Sequence, residues 1–186
     1  NWNYSLIEDV NKEDVPELKA LTDSLIAGKT SDFEKAKSIF YWVQENIRYI
    51  FIGGGYSGVI PSSAKDVYYK RFGDCKGMSS IQKKMYDYAG ITAYLAWVGT
   101  RDIPYRYNDL PTGACDNHMV ACVVADGKYY IADATAYFIS LDFPSDAIQG
   151  KETLLSIDSS KYEIYTIPIV DKSRNQYIDT TVLTIE

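Results

Sequence analysis

The stretch HMVACVVADGKYYIADAT, residues 118–135, determines the fold. Two runs rich in apolar, β-branched and aromatic residues, 118–125 and 128–135, flank the dipeptide Asp126-Gly127. Asp-Gly between two such runs is among the strongest short signals for a β-hairpin. The sequence therefore predicts two antiparallel strands joined by a two-residue turn.

The register of this hairpin brings the only histidine of the chain close to an aspartate. Counting outward from the turn sets Val120 opposite Asp133 and His118 opposite Thr135. His118 and Asp133 are then diagonal neighbours on one face, with Cβ atoms roughly 7 Å apart or less. An aspartate there can accept a hydrogen bond from one imidazole nitrogen while the other faces a nucleophile. The alternative is a solvated Asp133 and a His118 that packs under the sheet.

A helix is predicted upstream of the hairpin, from Cys75 to Ala89. Asp74 is suited to the N-cap position, apolar residues recur at helical spacing, and Gly90 ends the helix. Cys75 therefore lies in the first helical turn. A free cysteine, with a pKa of about 8.5, is mostly protonated at neutral pH, and both a helix N-terminus and a nearby imidazolium lower that pKa.

Three cysteines make an odd count, so at least one thiol stays unpaired within the chain. Cys115 falls in a predicted loop and Cys122 in the middle of a strand, so neither gains the helix N-terminus. We expect both to be unnecessary for activity, with Cys122 serving as core packing. Cys75 is thus the predicted nucleophile.

The remaining sequence completes an α+β layout, with helices first and mostly antiparallel strands after them. The apolar spacing predicts two amphipathic helices, a further short helix and one more strand before a polar loop. These segments are, in order, residues 15–27, 31–48, 63–71, 91–99 and 100–116.

Composition narrows the possible partners. A net charge of -6 and a pI near 4.8, with no basic run longer than Lys83-Lys84, argue against nucleic acid. No apolar stretch reaches the roughly 18 residues that a membrane span needs. The acidic residues lack EF-hand spacing, so we expect no metal and no cofactor. Nothing in the sequence indicates an oligomeric state.

Four short blocks carry a family resemblance: Gly73 to Lys76, Ala89 to Ile91, Asn117-His118, and Ala132 to Thr135. Their order and spacing resemble the Cys, His and Asp blocks of the transglutaminase-like superfamily. The resemblance extends over roughly residues 35 to 170, because Trp42 to Tyr49 and the segment from Pro144 to Gly150 are also similar to it. It implies a papain-like fold and thiol chemistry on amides.

The resemblance also implies roles and a setting. It makes Cys75 the nucleophile, His118 the base and Asp133 the orienting acid. In bacterial members such a domain commonly lies between β-rich domains of an exported, envelope-associated protein. We therefore expect a transglutaminase-like domain over residues 1–170, the start of a β-rich domain over 171–186, and a periplasmic or extracellular location. A first residue other than Met also suggests a piece of a longer protein.

One position departs from the family pattern. Bacterial relatives often carry a glutamine before the proline that matches Pro61, and Ile60 stands there instead. If that glutamine holds the oxyanion, its loss lowers catalytic efficiency. The backbone N–H of Cys75 still supplies one oxyanion donor.

Two function classes follow from these observations. The first is an enzyme that acts on a peptide or carboxamide substrate, with hydrolysis favoured over crosslinking because nothing specifies a site for an acceptor amine. The second is a non-catalytic module that binds a peptide or glycan. In either case we expect a groove between residues 53–57 and the loop 100–116, with Tyr56, Tyr105 and Tyr107 as substrate-binding residues.

Overall fold

The computed structural model of the protein describes residues 2–51, 58–110, 112 and 116–184. Over these ranges the helices are α1 Trp2–Ser5, α2 Pro16–Ile26, α3 Asp32–Asn46, α4 Ala64–Lys70 and α5 Cys75–Tyr88. The strands are β1 Arg48–Tyr49, β2 Phe72–Gly73, β3 Ala93–Val98, β4 His118–Ala125, β5 Lys128–Ala132, β6 Glu152–Ser156 and β7 Tyr162–Thr166.

Polar side chains begin three of the helices, including the N-cap predicted at Asp74. Ser31 Oγ accepts a hydrogen bond from the backbone N–H of Glu34 at 3.1 Å, and Ser63 caps α4 in the same way. Asp74 Oδ1 accepts from the N–H of Gly77 at 3.0 Å and begins α5. Each cap satisfies a backbone donor that the helix leaves unpaired, so these starts follow from local sequence.

The predicted hairpin is confirmed. Asp126 and Gly127 have φ angles of 49° and 75°, the positive pair that a type I′ turn requires. Ala125 pairs with Lys128, and the antiparallel ladder continues to Ala132. The Asp-Gly turn therefore sets the register of β4 against β5.

The end of the second hairpin strand was predicted incorrectly. β5 ends at Ala132 and not at Thr135, so Thr135 does not pair with His118. Asp133 Oδ1 instead accepts hydrogen bonds from the N–H of Thr135 at 3.3 Å and from its hydroxyl at 2.6 Å. These bonds take the place of strand-pairing hydrogen bonds, and the chain turns away from β4. Aspartate side chains commonly compete with strand pairing in this way.

The main sheet is antiparallel and has the order β5-β4-β3-β6-β7. β6 and β7 were not predicted from the sequence. β6 pairs with β3 across a long sequence separation, whereas β1 and β2 form a separate short parallel pair. β4, which begins at His118, is thus paired on both sides, with β3 and with β5.

Two main apolar clusters cover opposite faces of this sheet. On one face, Met78, Ile81 and Met85 of α5 pack against Ala121 and Val123 of β4, together with α2 and α3. The alternate residues of β4 face the second cluster. Its buried members are Ala96, Val98, Val120, Cys122, Ile131, Ile148, Leu155 and Ile167. Core packing of Cys122, as predicted, is confirmed.

The segment after residue 170 differs from the rest of the described chain. Residues 171–184 form no helix or strand, and Tyr177 and Leu183 are exposed. A domain boundary at residue 170 stays a prediction. Across the described ranges, the helices are too short or too polar to cross a bilayer.

Candidate active site

Asp74 and its neighbours fix the start of α5, where Cys75 is the first helical residue. Both side chains are buried, and Cys75 keeps 8% of its surface exposed. Asp74 Oδ2 is paired with Lys76 Nζ, while its Oδ1 caps the helix through the N–H of Gly77. The thiol therefore lies at the positive end of a buried helix, in a position that the cap holds in place.

His118, at the start of β4, and Asp133, just past the end of β5, lie next to each other. His118 Nε2 lies 3.1 Å from Asp133 Oδ1, and both side chains are largely buried. The imidazole also interacts with the Cys75 side chain, which lines the same cavity. Because Nε2 faces the carboxylate, Nδ1 is the ring nitrogen that remains for the sulfur. The structure thus brings all three predicted site residues together.

The positive charge of His118 and the negative charge of Asp133 stabilise each other. Burial by itself lowers the pKa of His118, but the hydrogen bonds to Asp133 and Cys75 outweigh burial and raise that pKa to about 10. Burial likewise raises the pKa of Asp133, but hydrogen bonds from His118, Thr135 and Ser145 hold it below its usual value. At neutral pH the pair is therefore an imidazolium next to a carboxylate.

Ser79 links the two elements that carry the thiol and the imidazole. Its hydroxyl lies 2.8 Å from the carbonyl oxygen of Cys75 and 3.0 Å from that of Met119. One hydroxyl shared between these carbonyls ties the first turn of α5 to the start of β4. This shared hydroxyl therefore helps to hold Cys75 and His118 at a fixed distance from each other.

A cavity of about 120 Å³ opens beside the thiol. Cys75 and His118 line it together with Val59, Trp97 and Asp116. A substrate carbonyl placed here would meet the sulfur directly. Within the described part of the chain, no three His, Cys, Asp or Glu side chains gather as metal ligands would.

The three predicted substrate-binding tyrosines have different positions. Tyr56 lies outside the described residues, as does Cys115. Tyr105 is exposed, and the described wall of the cavity does not include it. Tyr107 is buried, and its hydroxyl donates to the carbonyl oxygen of Trp97 at 3.2 Å. Tyr107 therefore supports the loop from within instead of presenting its ring to a groove.

Sequence reasoning missed Ser145, whose hydroxyl donates to Asp133 Oδ2 at 3.0 Å. Ser145 lies in an irregular segment that Gln149 holds, because its amide donates to the carbonyl oxygen of Pro144 at 2.9 Å. The similarity of Pro144 and Gln149-Gly150 to the family pattern was the only signal in this region. It indicated a segment and not the role of a particular serine.

Comparison with known proteins agrees with the fold described above. A family model, described as Transglutaminase-like superfamily, matches residues 19–134. A solved structure of a candidate protease from Parabacteroides distasonis is 18% identical, with a TM-score of 0.58, over 78% of this chain and 30% of that one. No curated protein matches the sequence.

A second solved structure, of a candidate cysteine protease from Cytophaga hutchinsonii, is 19% identical, with a TM-score of 0.50, over 81% of this chain and 46% of that one. The chain thus spans less than half the length of either protein. At these identities the similarity is one of fold.

Proposed function

Because the chain belongs to the transglutaminase-like superfamily, we propose that it cleaves peptide or carboxamide bonds, with Cys75 as nucleophile, His118 as acid and base, and Asp133 as orienting acid. The predicted α+β fold of the papain-like, transglutaminase-like type is confirmed. One observation carries the proposal: a buried chain of contacts runs from the sulfur through the imidazole to the carboxylate.

In the first step, the thiolate of Cys75 attacks the carbonyl carbon of the amide, and the C=O electron pair moves onto oxygen. The backbone N–H of Cys75, at the first position of α5, is free of helical hydrogen bonds and supplies an oxyanion donor. Collapse of this intermediate breaks the C–N bond. The imidazolium of His118 protonates the leaving amine, and a thioester remains on Cys75.

In the second step, neutral His118 takes a proton from water, and the resulting hydroxide attacks the thioester. The carboxylic acid leaves and the thiolate is restored beside a protonated imidazole. Asp133 keeps one tautomer and one ring orientation throughout, because it accepts a hydrogen bond from Nε2. Hydrolysis is favoured over crosslinking because no second site for an amine is specified by the described residues. An exported, envelope location stays a prediction.

The proposal is tested by alkylation with iodoacetamide near neutral pH, with the modified residue located by mass spectrometry. We expect Cys75 to react quickly and Cys75→Ala to lose that label. His118→Ala should react roughly 30-fold more slowly, because it lacks the imidazolium that stabilises a neighbouring thiolate. Cys122→Ala, a cysteine variant in the same domain, is the matched control.

The same samples are then incubated with a library of peptides and primary amides. Release of amine by the wild type, and not by Cys75→Ala, supports catalysis. A thiol at position 75 that reacts no faster in the wild type than in His118→Ala would contradict the proposed pairing. That result would favour the non-catalytic module instead.

A further inference from the structure

Two buried polar atoms beside the thiol have no hydrogen-bond partner. Among the buried side-chain atoms of the described residues, Trp97 Nε1 and Asp116 Oδ2 are unpaired, and both side chains line the cavity that Cys75 shares. One atom is a donor and the other an acceptor. The mechanism proposed above uses neither of them.

The surroundings hold both side chains in position. The hydroxyl of Tyr107 binds Asp116 Oδ1 and also donates to the backbone carbonyl of Trp97, which leaves Asp116 Oδ2 unused. Leu6 and Ile7 of the N-terminal segment pack against the cluster that contains Trp97. The side chains that carry the unpaired donor and acceptor are therefore held in place beside the cavity.

Leaving such atoms buried and unpaired is unfavourable. Burial raises the pKa of Asp116 to about 6, although the hydrogen bond from Tyr107 acts in the opposite direction. At neutral pH the carboxyl is therefore mostly ionised. Among the described residues that line the cavity, both cations are already paired, Lys76 with Asp74 and His118 with Asp133. The charge at Asp116 Oδ2 therefore has no partner among these cations.

We propose that Trp97 and Asp116 form a subsite for the free amino terminus of a peptide substrate. The terminal ammonium donates to Asp116 Oδ2, and the first carbonyl oxygen accepts from Trp97 Nε1. This inference rests on the proposed function, because it places the terminus beside the amide that Cys75 attacks. A cavity of about 120 Å³ admits only a short N-terminal portion of a peptide.

Other ligands satisfy this pair less well. A lysine side chain would supply an ammonium for Asp116 but no adjacent oxygen for Trp97. A neutral amide could meet both atoms, but an ammonium forms the stronger, charge-assisted hydrogen bond with a carboxylate. An amino terminus carries a cationic donor for Asp116 and a nearby carbonyl acceptor for Trp97.

The test follows the indole N–H signal of Trp97 by NMR in protein labelled with ¹⁵N. Trp97→Phe identifies that signal among the three tryptophans. The probes are L-alaninamide, N-acetyl-L-alaninamide and N-acetyl-L-lysine methylamide. We expect L-alaninamide to bind with a Kd of about 1 mM and each other probe to bind at least about tenfold more weakly. Asp116→Asn should weaken L-alaninamide binding about tenfold, whereas Asp109→Asn, an exposed aspartate of the same loop, should not.

The outcomes separate this inference from the proposed function. Equal binding of L-alaninamide and its acetylated form by the wild type overturns the subsite, and this comparison needs no variant to fold. Tighter binding of the lysine probe overturns the assignment to an amino terminus. If L-alaninamide binds but Cys75 fails to react with iodoacetamide, the subsite is supported and the proposed function is overturned.

Discussion

The two cysteines that the structure describes lie in one domain and are both buried, but their surroundings differ. Cys75, 8% exposed, begins a helix, interacts with His118 and lines a cavity. Cys122, fully buried, lies in the middle of β4 among the apolar side chains of the second cluster. Burial raises the pKa of the Cys122 thiol to about 12.

The difference shows that burial alone says little about a thiol. Burial disfavours the thiolate wherever it occurs, so a reactive cysteine needs groups that compensate for lost water. Cys75 has two such groups beside it, the helix N-terminus and the imidazolium of His118. Among the described residues around Cys122, the side chains are apolar or aromatic apart from Glu163, whose charge raises the pKa further.

Asp133→Asn should have the largest effect on the site that distinguishes Cys75 from Cys122. An asparagine cannot stabilise an imidazolium and favours the wrong imidazole tautomer, so we expect kcat/KM for an amide substrate to fall by roughly 10³- to 10⁴-fold. Steady-state kinetics measures this loss. Asp126→Asn, in the hairpin turn, is the control. A variant of position 133 that is folded and keeps more than a tenth of the activity would contradict the role of Asp133.

The pH dependence should separate proton donation from thiolate reactivity. The pKa of about 10 means that His118 loses its proton above that pH. Amide cleavage needs this proton, so kcat/KM should fall about tenfold per pH unit above pH 10. Alkylation of Cys75 needs only the thiolate and should stay level there. A parallel fall of both rates would indicate unfolding.

Stability should follow the same titration. The pKa of His118 is higher in the folded protein than its ordinary value of 6.5. Its contribution to stability is therefore complete below about pH 6.5 and is lost as pH rises to about 10. Urea midpoints measured across this range should fall more for the wild type than for His118→Ala. Equal slopes would contradict the raised pKa.

Ser145→Ala should have a smaller effect. It removes one hydrogen bond to Asp133 Oδ2, worth about 1 kcal/mol, so kcat/KM should fall about fivefold, mainly through kcat. Because Asp133 then holds the imidazolium less well, the upper limb of the pH profile should move to lower pH. Ser140→Ala is the control. An unchanged pH profile would make Ser145 a packing residue only.

Cys122→Ala should have the smallest effect. It tests the second cysteine of the comparison. It removes one buried sulfur, so the free energy of unfolding should fall by about 1 kcal/mol, measured by urea denaturation. Alkylation of Cys75 should change by less than about twofold, because distant sites act independently. Loss of the label in this variant, while it is folded, would show that the two regions are coupled.

The sequence predicted those parts of the fold that depend on neighbouring residues. The cap at Asp74 and the turn at Asp126-Gly127 each need only a few adjacent positions, and both are confirmed. The register of the hairpin then follows by counting, so the proximity of His118 to Asp133 could be predicted as well.

Contacts between distant segments could not be predicted in this way. Thr153 of β6 donates to the carbonyl oxygen of Trp97, 56 residues earlier, and no local pattern indicates that pairing. The extended propensity of Thr135 also gave no sign that Asp133 would turn the chain. The approach of Cys75 to the histidine depends on how α5 packs on the sheet, which the family resemblance implied and periodicity did not.

The hydroxyl of Ser79, shared between the carbonyls of Cys75 and Met119, has a consequence for motion. Local opening of a protein usually proceeds through segments that few bonds connect to the core. Here the ends of a buried helix and of a strand paired on both sides are joined, so they should open together. Amide protons of this junction should exchange with solvent as slowly as those of the central core, and heating should preserve the spacing of sulfur and imidazole until the whole domain melts.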